Sequence, residues 1–298
     1  MRARVRWALI AAVLLPGLAG ASTAATPRAE TKESAEDTPW LTDLRVRYGL
    51  ATLEQHHEDG SVTTTRTDSA TLLFSFGYEF DERFGVTVFV PFVLGALRDE
   101  DGTRRGAAAF GNLAAEASFR FRPTENLLLE PRGLLALPTA RGDESGTPEE
   151  VDRFLLLRGA GFSQGSQEMA LFEGGRLGGE VALLALWTPG RFLLRGWLKI
   201  EAMFDVRGDL KDPAIVESVG GLVVGYELGA GFRASLGLTY NRPWTAHEPK
   251  RFEAGTLDPA LEWRRGIGSV ALMAVLPIFG NSTLAHTFGL SLGGALRF

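Results

Sequence analysis

Residues Ala285 to Phe298 read AHTFGLSLGGALRF, and they decide how the rest of the chain is read. His286, Phe288, Leu290, Leu292, Leu296 and Phe298 share one parity, while Thr287, Gly289, Ser291, Gly293, Ala295 and Arg297 share the other. Successive strand side chains point to opposite faces, so the pattern predicts a strand with one greasy side and one small or polar side. In a water-soluble sandwich the greasy side would meet a core, and the chain would rarely stop on a bulky aromatic.

The same period of two recurs upstream, most regularly from Arg191 to Arg207. There Phe192, Leu194, Leu198, Ile200 and Phe204 face one way, and Arg191, Arg195, Trp197, Lys199, Glu201, Asp205 and Arg207 face the other. A charged face this dense cannot touch hydrocarbon, where Lys or Arg costs ~2–4 kcal/mol at mid-bilayer, so it is expected to line an interior. Leu44, Val46, Tyr48 and Leu50 alternate with Asp43, Arg45, Arg47, Gly49 and Ala51. Leu72, Phe74, Phe76, Tyr78 and Phe80 begin a second strand, and Phe84, Val86, Val88, Val90 and Phe92 a third, with Pro91 at a weakened or bulged point. Leu113 to Arg122, Leu127 to Leu137, Glu180 to Trp187, Val216 to Tyr226, Phe232 to Tyr240, Phe252 to Trp263 and Gly268 to Ile278 supply further strands.

Tight turns at Asp81 to Arg83, Pro123 to Asn126 and Thr188 to Gly190 alternate with longer polar loops. That asymmetry is expected of an all-β transmembrane antiparallel up-and-down barrel, with tight periplasmic turns and long extracellular loops. About twelve strands are expected, with ten and fourteen open. Tyr78, Phe80, Phe84, Phe121, Trp187, Phe192, Tyr226, Phe232, Trp263 and Phe298 sit beside the short turns and would form a periplasmic aromatic girdle. The longest loop, Thr139 to about Gly175, contains Phe154 to Leu157, which reads as a short strand or as a segment folded into the lumen.

Composition agrees with this. The 298 residues include 36 Gly, are 45% hydrophobic and carry a formal charge of −5, which offers no basic surface for nucleic acid. With no Cys, disulfides, thiolate metal sites, thiol catalysis and a lipidated Cys are excluded. Arg2, Arg4 and Arg6, the apolar run Trp7 to Leu15, and the small-residue tract after Gly17 predict a signal peptide over 1–24, with cleavage after Ala21 or Ala24. Residues 25–40 are polar enough to remain a disordered periplasmic tether, which leaves 41–298 for the barrel.

Two resemblances follow from these residues. A final amphipathic strand ending on Phe298 resembles the carboxy-terminal signal of bacterial outer-membrane β-barrels, which implies recognition by the barrel-assembly machinery. Phe76-Gly-Tyr-Glu-Phe-Asp-Glu-Arg-Phe84, Val90-Pro-Phe92, Phe110-Gly-Asn-Leu113 and Leu137-Pro-Thr139 resemble the outer-membrane transporters grouped with a phenol-degradation (meta-pathway) protein. The family's Gly-Asp and Leu-Pro-Thr-Gly steps stand here as Gly111-Asn112 and Pro138-Thr139-Ala140. The resemblance implies passage of small solutes, aromatic or hydrophobic compounds among them, and no ligand residue is carried over.

The candidate site is therefore the inward face: Arg45, Arg47, Glu79, Glu116, Arg120, Glu130, Arg132, Arg195, Lys199, Glu201, Asp205, Glu217 and Arg233, with Arg264 beside them. Interleaved charges of both signs suit a selectivity-setting channel. They equally suit a ladder of ion pairs filling a closed barrel that serves as an anchor or adhesion surface through its loops. Leu73, Phe89 and Trp197 on the same face would suit a partly apolar path or plain packing. A hydrolase reading has only His286 with Asn281 and Ser282, which share one hairpin turn, so no catalytic residue, cofactor or metal is expected. His56, His57, Glu58 and Asp59 read as a solvated loop rather than metal ligands.

Overall fold

The computed structural model describes residues 40–56, 62–143, 146–164, 168–206, 213–244, 253–266, 268–280 and 287–297. The expected leader and the tether as far as Pro39, the loop residues His57 to Asp59, the Asn281 to His286 group and Phe298 lie outside them, whereas Trp40, expected to end the tether, opens the first strand. Alternation of apolar and polar side chains forms β1 (Trp40–His56), β2 (Val62–Glu79) and β3 (Phe84–Asp99). The next wall position is divided among β4 (Arg104–Phe110), β5 (Ala114–Phe119) and β6 (Phe121–Thr124). After β7 (Leu127–Ala136) come a helix, α1 (Pro148–Phe162), and a 3-10 turn, Met169–Leu171. The wall then continues through β8 (Arg176–Trp187), β9 (Phe192–Asp205), β10 (Ala214–Gly229), β11 (Phe232–Pro243), β12 (Ala254–Arg265), β13 (Gly268–Gly280) and β14 (Phe288–Arg297).

Successive wall positions pair antiparallel, with β4 and β5 both on β3 and β5 and β6 both on β7, and β1 pairs with both β2 and β14, so the sheet closes on itself. Closure leaves no sheet edge to satisfy in a bilayer, which is why barrels span where open sheets cannot. Twelve positions make up the wall, within the expected range, with two extra strands from the split fourth position. No described helix is long and apolar enough to cross a membrane.

The split has a local cause. Strand β3 pairs with β4 over Phe92 to Arg98 and with β5 over Phe84 to Phe89. Pro91, which has no N–H to give the ladder, stands where the partner changes, and its carbonyl accepts from the Gly111 N–H instead. A strand was expected only from Leu113; Arg104 to Phe110 is a strand as well, separated from β5 by Gly111, Asn112 and Leu113.

The period of two is visible in exposure. Along β9, Phe192, Leu198, Ile200 and Phe204 are 58%, 60%, 50% and 50% exposed on the outer face, whereas Glu201 and Met203 are 0% and 1% exposed on the inner. Near the short turns the outer aromatics touch one another. Trp40 meets Tyr78 at 4.8 Å, Tyr78 meets Phe80 at 4.9 Å and Phe192 meets Tyr226 at 5.0 Å between ring centroids. Phe92 against Phe110 and Tyr240 against Phe279 repeat this nearer the opposite rim. The tightest turn is Gly229-Ala230-Gly231, all at positive φ. At Gly231 a β-carbon would strike the Arg264 carbonyl, so a side chain is barred twice over there.

Candidate functional site

The inner face has two zones. In the half beside the long loops, Leu53 of β1, Leu73 of β2, Val93 and Leu97 of β3, Ala109 of β4 and Met203 of β9 form one buried apolar cluster with Phe154, Leu155, Leu156, Leu157, Ala160 and Phe162 of α1. The longest loop is thus a plug inside the barrel, and Phe154 to Leu157 are helical rather than a strand. The helix begins at Thr147, whose backbone N–H donates to Glu150 Oε2 at 2.8 Å, with Pro148 in its first turn. These bonds hold the Glu150 carboxyl below the usual carboxylate range.

Glycines shape the wall to this plug. A β-carbon on Gly49 would overlap the Ser163 hydroxyl, and one on Gly289 would overlap the Ser163 carbonyl. These two glycines face each other across the β1–β14 seam. One on Gly95 would sit 2.6 Å from Leu156 Cδ1, and one on Gly178 2.8 Å from Ala170 Cβ. Four strands have given up lumen side chains where the plug lies against them.

Polar ties complete the docking. Asn112 is 0% exposed; its Nδ2 donates to the Ala170 and Glu173 carbonyls at 2.8 and 2.7 Å, and its Oδ1 accepts from the Ala140 N–H at 2.9 Å. One side chain thereby satisfies the irregular backbone at the strand break, which hydrocarbon alone would leave unpaired. Arg45 and Arg47 of β1 reach Glu168 of the plug loop at 3.2 and 2.6 Å, Arg47 also donates to Gln164, and Asp43 flanks Arg45 at 3.1 Å. On the opposite wall Lys199 bridges Glu180 at 2.8 Å and Glu201 at 2.9 Å, and Glu201 accepts from the Ala170 N–H of the 3-10 turn. Arg105 holds Asp99 and, at 2.9 Å, Asp152 of the helix.

In the half beside the short turns the inner face is ionic. Arg120 bonds Glu79 at 2.7 Å and lies 3.6 Å from Glu130; Arg132 bonds Glu130 at 2.9 Å and lies 3.6 Å from Glu116. Arg233 bonds Glu227 and lies 3.6 Å from Glu262, which also holds Arg264 at 2.8 Å. Arg195 stands between these groups with its guanidinium 5.3 Å from the Trp197 ring centroid. Side chains here keep some contact with water: Glu79, Arg120, Arg264 and Glu227 are 20 to 35% exposed. The mouth below the plug is therefore wet.

The structure places every named candidate on the inner side of the barrel. It joins Arg45, Arg47 and Glu201 to the plug, and gathers Glu79, Glu116, Arg120, Glu130 and Arg132 into one ion-pair network. Asp205 sits higher, across from Arg176 in the β8–β9 ladder, and Glu217 is buried on β10 beside Asn241. Leu73 belongs to the plug's apolar cluster and Phe89 packs against it, whereas Trp197 lies against the separate cluster of Leu128, Leu184, Leu186, Leu193 and Val223. The sequence reading missed Asn112, Gln164 and Glu168. Of its two readings of Phe154 to Leu157, the segment folded into the lumen is the one the structure bears out; the helix start at Thr147-Pro148-Glu149-Glu150 was not read. A water-sized cavity of about 20 Å³ remains between Arg47, Gln164 and Glu168 on one side and Met273, Val275 and Gly289 on the other.

No protein-family model matches the chain, and no curated protein matches it. Among solved structures, an outer membrane channel from Pseudomonas putida F1 aligns with 92% of this chain and 100% of its own, at a TM-score of 0.57 and 13% identity. The transport unit of the autotransporter AIDA-I from Escherichia coli covers 92% and 93% of the two chains at 0.48 and 10%, and the KdgM porin 86% and 99% at 0.45 and 8%. The closed wall with its apolar outer belt, and this shared architecture, define the chain as a bacterial outer-membrane β-barrel. What it shares with these proteins is the barrel; the kinship read from residues 70 to 142 is matched by no family model.

Proposed function

We propose that this barrel is a gated channel for small solutes, closed by its own α1 plug. The carrying observation is the docking surface itself: wall glycines moulded to the plug, with ion pairs from β1 on one flank and a backbone N–H bond to the Glu201 carboxylate of β9 on the other. A barrel filled only for rigidity needs no helix-shaped recess, whereas a gate needs a defined closed position. The ionic mouth, with Glu79, Arg120, Glu130, Arg132, Arg195, Arg233 and Glu262, would set selectivity among solutes that enter once the plug shifts. Aromatic or hydrophobic cargo is favoured over sugars by the lining of the upper lumen, where Leu53, Leu73, Val93 and Leu97 would be uncovered by plug movement. In this reading the outer apolar belt meets lipid, and the final strand is what the assembly machinery reads.

The test is planar-bilayer conductance of the wild-type protein beside a variant in which residues 144–172 are replaced by a short Gly-Ser linker. A large stable conductance in the deletion and small intermittent openings in the wild type are expected. Two equally silent barrels, both folded, would leave the closed anchor or adhesion barrel as the reading.

A further inference from the structure

Toward the long-loop rim the outer face of the barrel carries a row of arginines. Arg66 of β2, Arg98 of β3 and Arg104 of β4 are exposed and share the parity of the outward rings Phe74, Phe92 and Phe110. The ladders set the three level: Arg66 partners Arg98 across β2–β3, and Arg98 partners Arg104 across β3–β4. Neighbouring strands lie ~4.8 Å apart, so three guanidinium groups share roughly 10 Å of surface. Like charges set directly opposite one another destabilise a sheet.

Among the described residues no carboxylate pairs with any of the three. The acids next along the same face are turned to neutral groups. Glu100, above Arg98, accepts the Thr64 N–H at 2.9 Å, and Asp68, below Arg66, faces the Tyr48 hydroxyl. Glu54 lies diagonally from Arg66 on β1, at the end of the row away from Arg104.

Height and the surface below say what meets the row. Phe84 stands at the short-turn end of β3. At ~3.3 Å per residue and a strand tilt of ~40°, Leu94 is about 25 Å above it and Arg98 about 35 Å. The apolar band of such barrels is ~25 Å tall, so Leu94 marks its upper limit and the arginines sit among headgroups, which their long side chains can reach by snorkelling. Beneath the row the wall is smooth. Ala96 and Gly106 are level one rung down, Ala70, Leu94 and Ala108 are level in the next, and the Phe92–Phe110 ring pair closes the patch at 4.8 Å.

We infer that Arg66, Arg98 and Arg104 form a binding site for the phosphate groups of lipid A, the phosphorylated glycolipid of the outer leaflet, whose acyl chains lie on the smooth surface below. A guanidinium fork matches phosphate oxygens bidentately, and phosphate supplies the negative charge that the row lacks. The assignment rests on the orientation proposed above, with the long loops outward.

The experiment titrates the folded, detergent-solubilised barrel with bis-phosphorylated lipid A in mixed micelles and counts bound lipid by native mass spectrometry. Phosphatidylcholine and inorganic phosphate are the competing probes. Separately, an epitope tag inserted between residues 247 and 248, in the connection from β11 to β12 at the same rim, is read on intact cells.

Saturable lipid A binding that neither competitor displaces is expected, with the tag displayed. Arg98→Gln should weaken binding about tenfold or more and Arg98→Lys less, because lysine keeps the charge but not the fork. Changing Arg66, Arg98 and Arg104 together to Gln should remove binding. Arg242→Gln should leave it unchanged, since this exposed arginine is level with Ser218 rather than with a second cation. Wild-type binding by the folded triple variant overturns the assignment, as does an equal loss in Arg242→Gln or displacement by inorganic phosphate. Should the triple variant fail to fold, wild-type affinity in Arg98→Gln overturns it. A hidden tag overturns the orientation and the assignment together, whereas a displayed tag without lipid A binding overturns the assignment alone. Neither result touches the conductance test of the plug.

Discussion

Putting side chains back on the two seam glycines would convert the recess for the plug into an obstacle. Gly49→Val together with Gly289→Val places β-carbons where the Ser163 hydroxyl and carbonyl now lie, so the carboxyl end of α1 must retreat from the wall by roughly an ångström or more to reach van der Waals contact. The retreat draws Gln164 and Glu168 away from Arg47 and Arg45. Three bonds to charged groups at ~1.5–3 kcal/mol each are weakened, and with water replacing part of them a loss of roughly 4 kcal/mol in docking is reasonable. At about 1.4 kcal/mol per factor of ten, the docked-to-undocked ratio falls about a thousandfold. The wall should tolerate the change, because both residues are in regular strand conformation and valine suits a strand. The assay is single-channel recording in planar bilayers, after the band shift between unheated and boiled samples on gels shows a folded barrel. Conductance and open time should rise although two side chains have been added to the bore. Folded double variant with conductance at or below wild type would refute the reasoning, since only the extra bulk would then be felt.

Three further outcomes are expected. Asn112→Leu strands the Ala140 N–H and two carbonyls and should cost roughly 3–6 kcal/mol, read as a lower urea midpoint for the folded band. Lys199→Met leaves Glu180 and Glu201 together without their cation and should cost ~3–5 kcal/mol, whereas Lys199→Met with both acids changed to Gln should recover most of that in the same assay. Leu198→Arg on the outer face should cost ~2–4 kcal/mol of folding into lipid vesicles, while Ser235→Arg, which faces the lumen, should cost well under half as much.

The wall was legible where alternation was clean. In β9 and β2 most inner positions carry charge or hydroxyls, with Leu73, Leu193, Trp197 and Met203 the apolar exceptions, and the outer ones are rich in aromatics and aliphatics, so register and face follow from a period of two. It was illegible at Gly106-Ala107-Ala108-Ala109, where both faces of β4 bear small residues and no contrast marks a strand. The helix escaped for a different reason. Leu155, Leu156 and Leu157 are all buried in succession, because inside a barrel a helix is surrounded by wall and shows no single apolar stripe. Of the candidate site, the charges on β1, β7 and β9 could be assigned to the inner face from parity alone. Their partners could not, because Glu168 and Ala170 come from a loop whose path has no periodic signature.

The plug also constrains the order in which the molecule can be made. It is contributed by the middle of the sequence, yet it is enclosed by a seam between the first strand and the last, and Ser163 rests on a glycine from each side of that seam. A segment so placed has to be inside before the two ends zip together, for afterwards the closed ring would leave it only the narrow rim as an entrance. Maturation of this barrel is thus a matter of sequence in time: collapse around α1 first, circularisation last.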